Sequence, residues 1–197
     1  MNFNELKDYL DIKADQYNHS GFIENDPIQI PHRFTEEKDI EIAGFLTAVI
    51  SWGNRKSIIK SAGRMLGIMD NAPYDFVMNF KEKDLESARS KAIHRTFSGE
   101  DFIFFLKSLK SIYTTHHSLE NLFLIQQEET NFYHAFERFR AEFLKADEMH
   151  RSRKHISSTY KNSSAKRLMM FMRWMVRRDQ RNVDFGIWNC IEPKFLS

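Results

Sequence analysis

Phe3, Leu6, Tyr9, Leu10 and Ala14 recur at three- and four-residue intervals, which predicts an amphipathic first helix. From Asn25-Asp26-Pro27 to Pro31-His32 the chain reads as a loop, because both prolines oppose a helical interior. Thr35 then stands as an N-cap, followed by Glu36, Glu37 and Asp39 at the positive end of a second helix. Between Ile40 and Ile50 that helix is apolar almost all round, the pattern of a buried element. Ser51-Trp52-Gly53-Asn54 interrupts it, with Gly53 as the left-handed residue. A third helix is expected over 55–69, carrying Arg55, Lys56, Lys60 and Arg64 on its polar side. After the turn at Asn71-Ala72-Pro73, residues 74–80 read as a short helix. Gly99-Glu100-Asp101 opens a long one with Phe102, Phe105, Leu109 and Ile112 on its apolar face. Ser118 caps another short helix, and Phe132, Phe136, Phe139 and Phe143 mark the next by their 4-3-4 spacing. No alternating strand, repeat or low-complexity tract stands out.

Composition sharpens this to an all-α class. Apolar residues make up 42% and charged residues 28% of the 197, which excludes intrinsic disorder. Seven glycines and four prolines are too few for the many tight turns of an all-β fold. The expectation is one helical domain over 1–197, its 18 phenylalanines filling the core. The one cysteine, Cys190, excludes a disulfide framework and a cysteine zinc cluster, and beside Trp188 and Ile191 it reads as inert packing. The first residues resemble neither a signal nor a transit peptide, and no apolar run approaches the length of a membrane span. A cytoplasmic protein without membrane contact is expected. His116-His117 are adjacent and His150 and His155 five apart, so neither pair has the i, i+4 spacing of a helical metal site. No metal and no cofactor are expected, and no phosphate loop, dinucleotide fingerprint or nucleophile elbow occurs.

Charge changes the picture. Between His150 and Arg181 lie ten Lys or Arg and one acid, Asp179; that balance of +9 leaves −7 for the rest of a chain whose net charge is +2. A basic segment on an acidic body is the footprint of a polyanion-binding surface, and equally of a solvated face paired with acids elsewhere. Ser157, Ser158, Ser163 and Ser164 among these cations can cap a helix or donate to phosphate oxygens. Residues 163–178 are the most informative stretch. On a helix, Lys166, Arg173 and Arg177 fall within about 40° of one another, on a surface otherwise of Leu, Met, Phe, Trp and Val. So apolar a helix is buried, and its cationic stripe faces a cleft or a partner. Lys166 stands in the first turn with Arg167 beside it, where dipole and like charge favour the neutral amine that attacks carbon. The alternative is a structural network in which these cations pair with Asp179 or Asp184. The same two acids are also candidates for acid–base work.

Four segments resemble a bacterial family of uncharacterised function: Glu41-Ile42-Ala43-Gly44-Phe45, Ser51-Trp52-Gly53-Asn54-Arg55, the stretch from Lys166 to Arg177, and Val183-Asp184-Phe185-Gly186-Ile187-Trp188. That family is similar to the helix-hairpin-helix DNA glycosylases, nearest to the archaeal 8-oxoguanine type. The resemblance implies an all-α glycosylase-like fold that binds double-stranded, damaged DNA and extrudes a base. It also implies attack on the sugar carbon by a lysine, here Lys166, in a base-excision repair reaction. Trp52, Asn54 and Arg55 would enter the gap left in the stack. Arg151, Arg153, Lys154, Lys161, Arg167, Arg173 and Arg177 would line the DNA-binding face. Two departures accompany it. The hairpin at 157–163 has none of the usual glycines, and the family's essential aspartate is expected just past Ser197, so that the chain reads as a truncated member. A non-catalytic nucleic-acid-binding module of the same fold and a helical protein-interaction domain are the other readings. The placement that separates them is Lys166, partly buried and free of carboxylates, in one groove with Trp52 and Asn54.

Overall fold

The computed structural model describes residues 2–148 and 150–196. The protein is mainly helical. In order, its helices are α1 (Phe3–Tyr17), α2 (Ser20–Ile23), α3 (Glu37–Val49), α4 (Arg55–Ile68), α5 (Pro73–Asn79) and α6 (Glu82–Arg89). A hairpin of β1 (Ala92–His94) and β2 (Phe97–Ser98) follows, then α7 (Gly99–His116), α8 (Glu120–Phe123), α9 (Tyr133–Leu144) and α10 (Lys166–Val176).

At the centre lies α3, buried from Ile40 through Val49, as a run that is apolar but for Glu41 and Thr47 requires. α10 packs along it. The approach is close at Gly44, where a Cβ would come within 3.2 Å of Met175 Cε and 3.5 Å of the Phe171 ring. Phe45 of α3 is the meeting point of the core, with ring centroids of Phe105, Phe139, Phe143 and Phe171 all within 5.9 Å. Burying one such ring contributes about 1.5–3 kcal/mol. The Phe stripe of α9 is core, and Phe132, Phe136, Phe139 and Phe143 are all buried.

The structure departs from the pattern-based expectations in four places. α1 forms, held by an Asn2–Glu5 capping box, but buries no residue; Phe3, Leu10 and Ile12 are 80%, 55% and 64% exposed. Periodicity alone reports an amphipathic face, not whether anything covers it. α3 starts one residue later than Thr35 suggests, with Glu36 as N-cap and no side-chain cap bond, while Asp39 in its first turn accepts from the Tyr74 N–H at 2.8 Å. The 25–32 loop contains two 3-10 turns, Pro27–Gln29 and Pro31–Arg33, the first capped by Asp26. Finally, α6 and the β1–β2 hairpin form in a stretch where the sequence shows no clear period; strands of three and two residues are too short to register one.

Candidate functional site

Leaving α3, the chain turns sharply at 51–54. Ser51 anchors the turn by donating its hydroxyl to Thr47 O at 2.7 Å. Gly53 has φ +97°, a conformation that suits glycine, and the end of the flexible Arg95 side chain lies over it. Asn54 caps α4, accepting from the Ser57 N–H at 3.3 Å. Trp52 is half-buried and held on several sides. Its carbonyl accepts from His94 Nε2 at 3.0 Å, while His94 Nδ1 accepts from Ser61 Oγ at 3.1 Å, which fixes the neutral ring's tautomer. The indole meets His94 edge-on and His155 nearly parallel at 5.7 Å, and the Arg167 guanidinium lies 4.8 Å from its centroid. Trp52 is therefore a fixed wall. Gly53 and Asn54 in the turn and Arg55 at the start of α4 are exposed.

The second wall is the 3-10 turn Arg151–His155, opened by His150, whose Nδ1 accepts from the Ser152 N–H. Behind it sits Asp101, fully buried. It accepts from the Ser98 N–H, Ser98 Oγ and Ser152 Oγ, each at 2.8 Å, and Arg151 lies 3.3 Å away. Burial pushes this carboxyl up, but those donors and the nearby His155 outweigh it and hold the group below its ordinary value. His155 goes the other way. Its side chain is 4% exposed, and desolvation carries it down to about 4; Asp101 opposes this, while Lys154, Arg167 and Arg151 reinforce it.

A pH dependence follows. Between pH 6.5 and about 4 the unfolded chain binds a proton at His155 that the folded protein does not. The stabilising contribution is complete above 6.5 and is lost as pH falls through that window, about 3 kcal/mol in all. Urea unfolding at pH 5 and 6 should show wild-type stability rising more steeply with pH than His155→Phe, by about 1.4 kcal/mol per unit. Equal slopes would mean that the folded ring is protonated.

α10 supplies the third wall. The turn before it contains two left-handed residues, Asn162 (φ 59°) and Ala165 (φ 45°), so the bend is made without the glycines such a turn favours. Ala165 has no side chain to cap the helix, and the first N–H groups of α10 are left without a capping side chain. Lys166 projects from this first turn. It is exposed, in contrast to the partial burial expected for it, and it forms no ion pair among the described residues. Arg167 is half-buried, stacked on Trp52 and donating to Val49 O. Desolvation lowers its affinity for its proton, and no carboxylate pairs with it among the described residues. The first turn of α10 and the 51–54 turn thus adjoin, and with the 3-10 turn and the hairpin they border an open surface pocket of about 370 Å³ lined by Trp52, Thr96, Lys154, His155 and Arg167.

The remaining cations expected on a DNA-binding face are placed differently. Arg173 Nε lies 3.0 Å from Asp184, and Arg177 reaches Asp179 at 2.7 Å and Asp184 at 3.3 Å. This half of the stripe is a structural network, because Asp184 is buried and holds both guanidiniums against the chain that returns past α10. Arg55 lies 3.8 Å from Asp26. Arg178 donates to Gly186 O and Trp188 O, and Arg181 is bonded to Asp15. Arg153 is exposed and also engaged. Lys154, Lys161 and Lys166 are exposed and, among the described residues, without an ion pair. Cys190, expected in the core, is exposed; the C-terminal segment packs through Trp188 and Ile191 instead. Asp184 itself keeps one oxygen, Oδ1, buried without a partner, and burial pushes its carboxyl up.

His94, Arg95 and Thr96 reach the site on a hairpin that no periodicity announces, and the sequence raises His155 only as a metal ligand, which its spacing from His150 opposes. Among the described residues no group of three His, Cys, Asp or Glu is placed to hold a metal ion, and no helix is long and apolar enough to cross a membrane.

A family model described as a protein of unknown function (DUF2400) matches residues 26–197, which takes in all three walls of the pocket and leaves out α1. No curated protein and no solved structure matches the chain.

Proposed function

We propose that this chain, which belongs to the DUF2400 family of proteins of unknown function, binds duplex DNA and excises a damaged base in the manner of a helix-hairpin-helix glycosylase. The observation that carries the reading is Lys166: an exposed amine that, among the described residues, has no carboxylate partner, on a helix N-terminus without a side-chain cap, one residue from Arg167, which is stacked on Trp52 and likewise has no ion pair among those residues. Helix N-termini attract anions, and Lys154 and Arg167 extend the positive surface along the pocket. The resemblance puts the hairpin at 157–163, and Asn162 within it and Ala165 just after it are left-handed. Lys166 is the nucleophile toward the sugar carbon.

Borohydride reduction of the protein on an 8-oxoguanine duplex should trap a covalent adduct, and Lys166→Ala should abolish it without changing the thermal melt. No adduct with wild type, or an undiminished one in the variant, would remove the lysine mechanism.

The exposure of Lys166 favours a second reading, a DNA-binding module without the chemistry, since nothing desolvates the amine. Both readings require salt-sensitive binding. With Lys154, Lys166 and Arg167 each neutralising a phosphate, log K should fall against log salt with a slope of about −3. A slope near zero counts against both, and a salt-dependent protein that shows neither adduct nor lesion preference is the module.

A further inference from the structure

The pocket beside Lys166 has a chemistry narrower than a general affinity for DNA. Its lining contains two cations, Lys154 and Arg167, and no carboxylate. Arg167 is half-buried with no acid to pair with among the described residues, so its charge is partly desolvated and uncompensated by a carboxylate. An unpaired, half-buried guanidinium is costly, and the arrangement is relieved when an anion enters. Arg167 is also pre-oriented, one nitrogen donating to Val49 O and the plane resting on Trp52. Asp101 cannot serve as its counter-ion, because it is occupied by Ser98, Ser152 and Arg151. His155 lines the same pocket with Nε2 buried and unpartnered, 3.6 Å from Asp101 and beyond hydrogen-bond reach. Thr96 adds a hydroxyl from the hairpin turn.

We infer that this pocket holds a phosphate monoester, the terminal phosphate of a nucleic-acid strand. A monoester carries close to two negative charges and three terminal oxygens. These match two cations and the guanidinium, ammonium and hydroxyl donors of Arg167, Lys154 and Thr96. A backbone diester offers one charge and two such oxygens. The inference rests on the DNA reading above and gives the pocket a place in it. When the iminium that joins a lysine to the sugar gives its C2′ proton to water, the freed electron pair forms the C1′–C2′ double bond of a neutral enamine, whose electrons then expel the C3′ oxygen. The C3′–O bond then breaks and the oxygen departs with its phosphate, leaving the neighbouring fragment with a 5′-phosphate end.

The test compares two nicked duplexes that differ only in a 5′-phosphate or a 5′-hydroxyl at the nick, titrated with the whole chain at fixed salt, with inorganic phosphate titrated separately. The phosphorylated end should bind about tenfold more tightly, the effect of one added charge-assisted hydrogen-bond set. Lys154→Ala and Thr96→Val, both at exposed positions, should each remove most of that ratio while the circular-dichroism melt stays unchanged. Equal binding of the two ends, or a ratio that survives both variants, overturns the pocket assignment and leaves the DNA reading standing. If neither duplex binds but inorganic phosphate does, and Lys154→Ala abolishes it, the monoester pocket stands and the DNA reading falls.

Discussion

Glu41→Ala should lose on the order of 5 kcal/mol, comparable to the whole stability of many domains. Glu41 lies inside the apolar run of α3 and is 4% exposed. Its carboxylate accepts four hydrogen bonds: from Tyr113 Oη at 2.6 Å, Trp188 Nε1 at 2.5 Å, Ser118 Oγ at 2.9 Å and the Leu119 N–H at 3.3 Å. One side chain thus ties α3 to α7, to the entry of α8 and to the C-terminal segment. Burial pushes the carboxyl up against the pull of these donors. Truncation leaves the tyrosine, indole and backbone donors buried without an acceptor, each at about 1–3 kcal/mol. Glu41→Gln keeps one acceptor oxygen and should lose roughly half as much. Urea unfolding followed by tryptophan fluorescence measures both, and an alanine variant within 1 kcal/mol of wild type would show the network is not formed in solution.

Gly99→Ala should destabilise by about 3 kcal/mol, the upper end for overpacking, and lower Tm by about 10 °C. Helix propensity alone points the other way, since alanine is the better helix former. Packing decides the sign. Gly99 opens α7 directly after β2, and its N–H donates to Lys91 O at 2.8 Å. A Cβ there would lie 1.7 Å from the Ala88 carbonyl oxygen and 2.7 Å from its carbon. Both are backbone atoms at the end of α6, so no rotamer change relieves the contact, and α6 would have to shift with its buried Leu85 and Ala88. A thermal melt equal to or above that of wild type would mean that α6 does not sit against Gly99.

Fold class and most helices are legible in the chain because they depend on local, short-period information. The apolar run over 40–50, the Phe spacing of α9 and the Lys166 stripe each carry their element within themselves. Even the closeness of α3 and α10 has a local trace, in the small residue Gly44 amid a wholly apolar surface.

Which charges are free is not local. Arg173, Arg177 and Lys166 share one stripe and look alike in sequence, yet two of them are consumed by Asp184 and Asp179, while Lys166 is not paired among the described residues. Arg151 meets an acid fifty positions away, and Arg167 meets Trp52 from the far side of α3. The exposure of α1's apolar residues and of Cys190 is likewise invisible to periodicity, which reports a face and not its cover. A helical protein with a buried α3 and a cationic start to α10 is written in local pattern. Which of its cations meet an acid is set by the fold, because ion pairs form between groups distant in the chain, and Arg167 is half-buried with no acid beside it among the described residues.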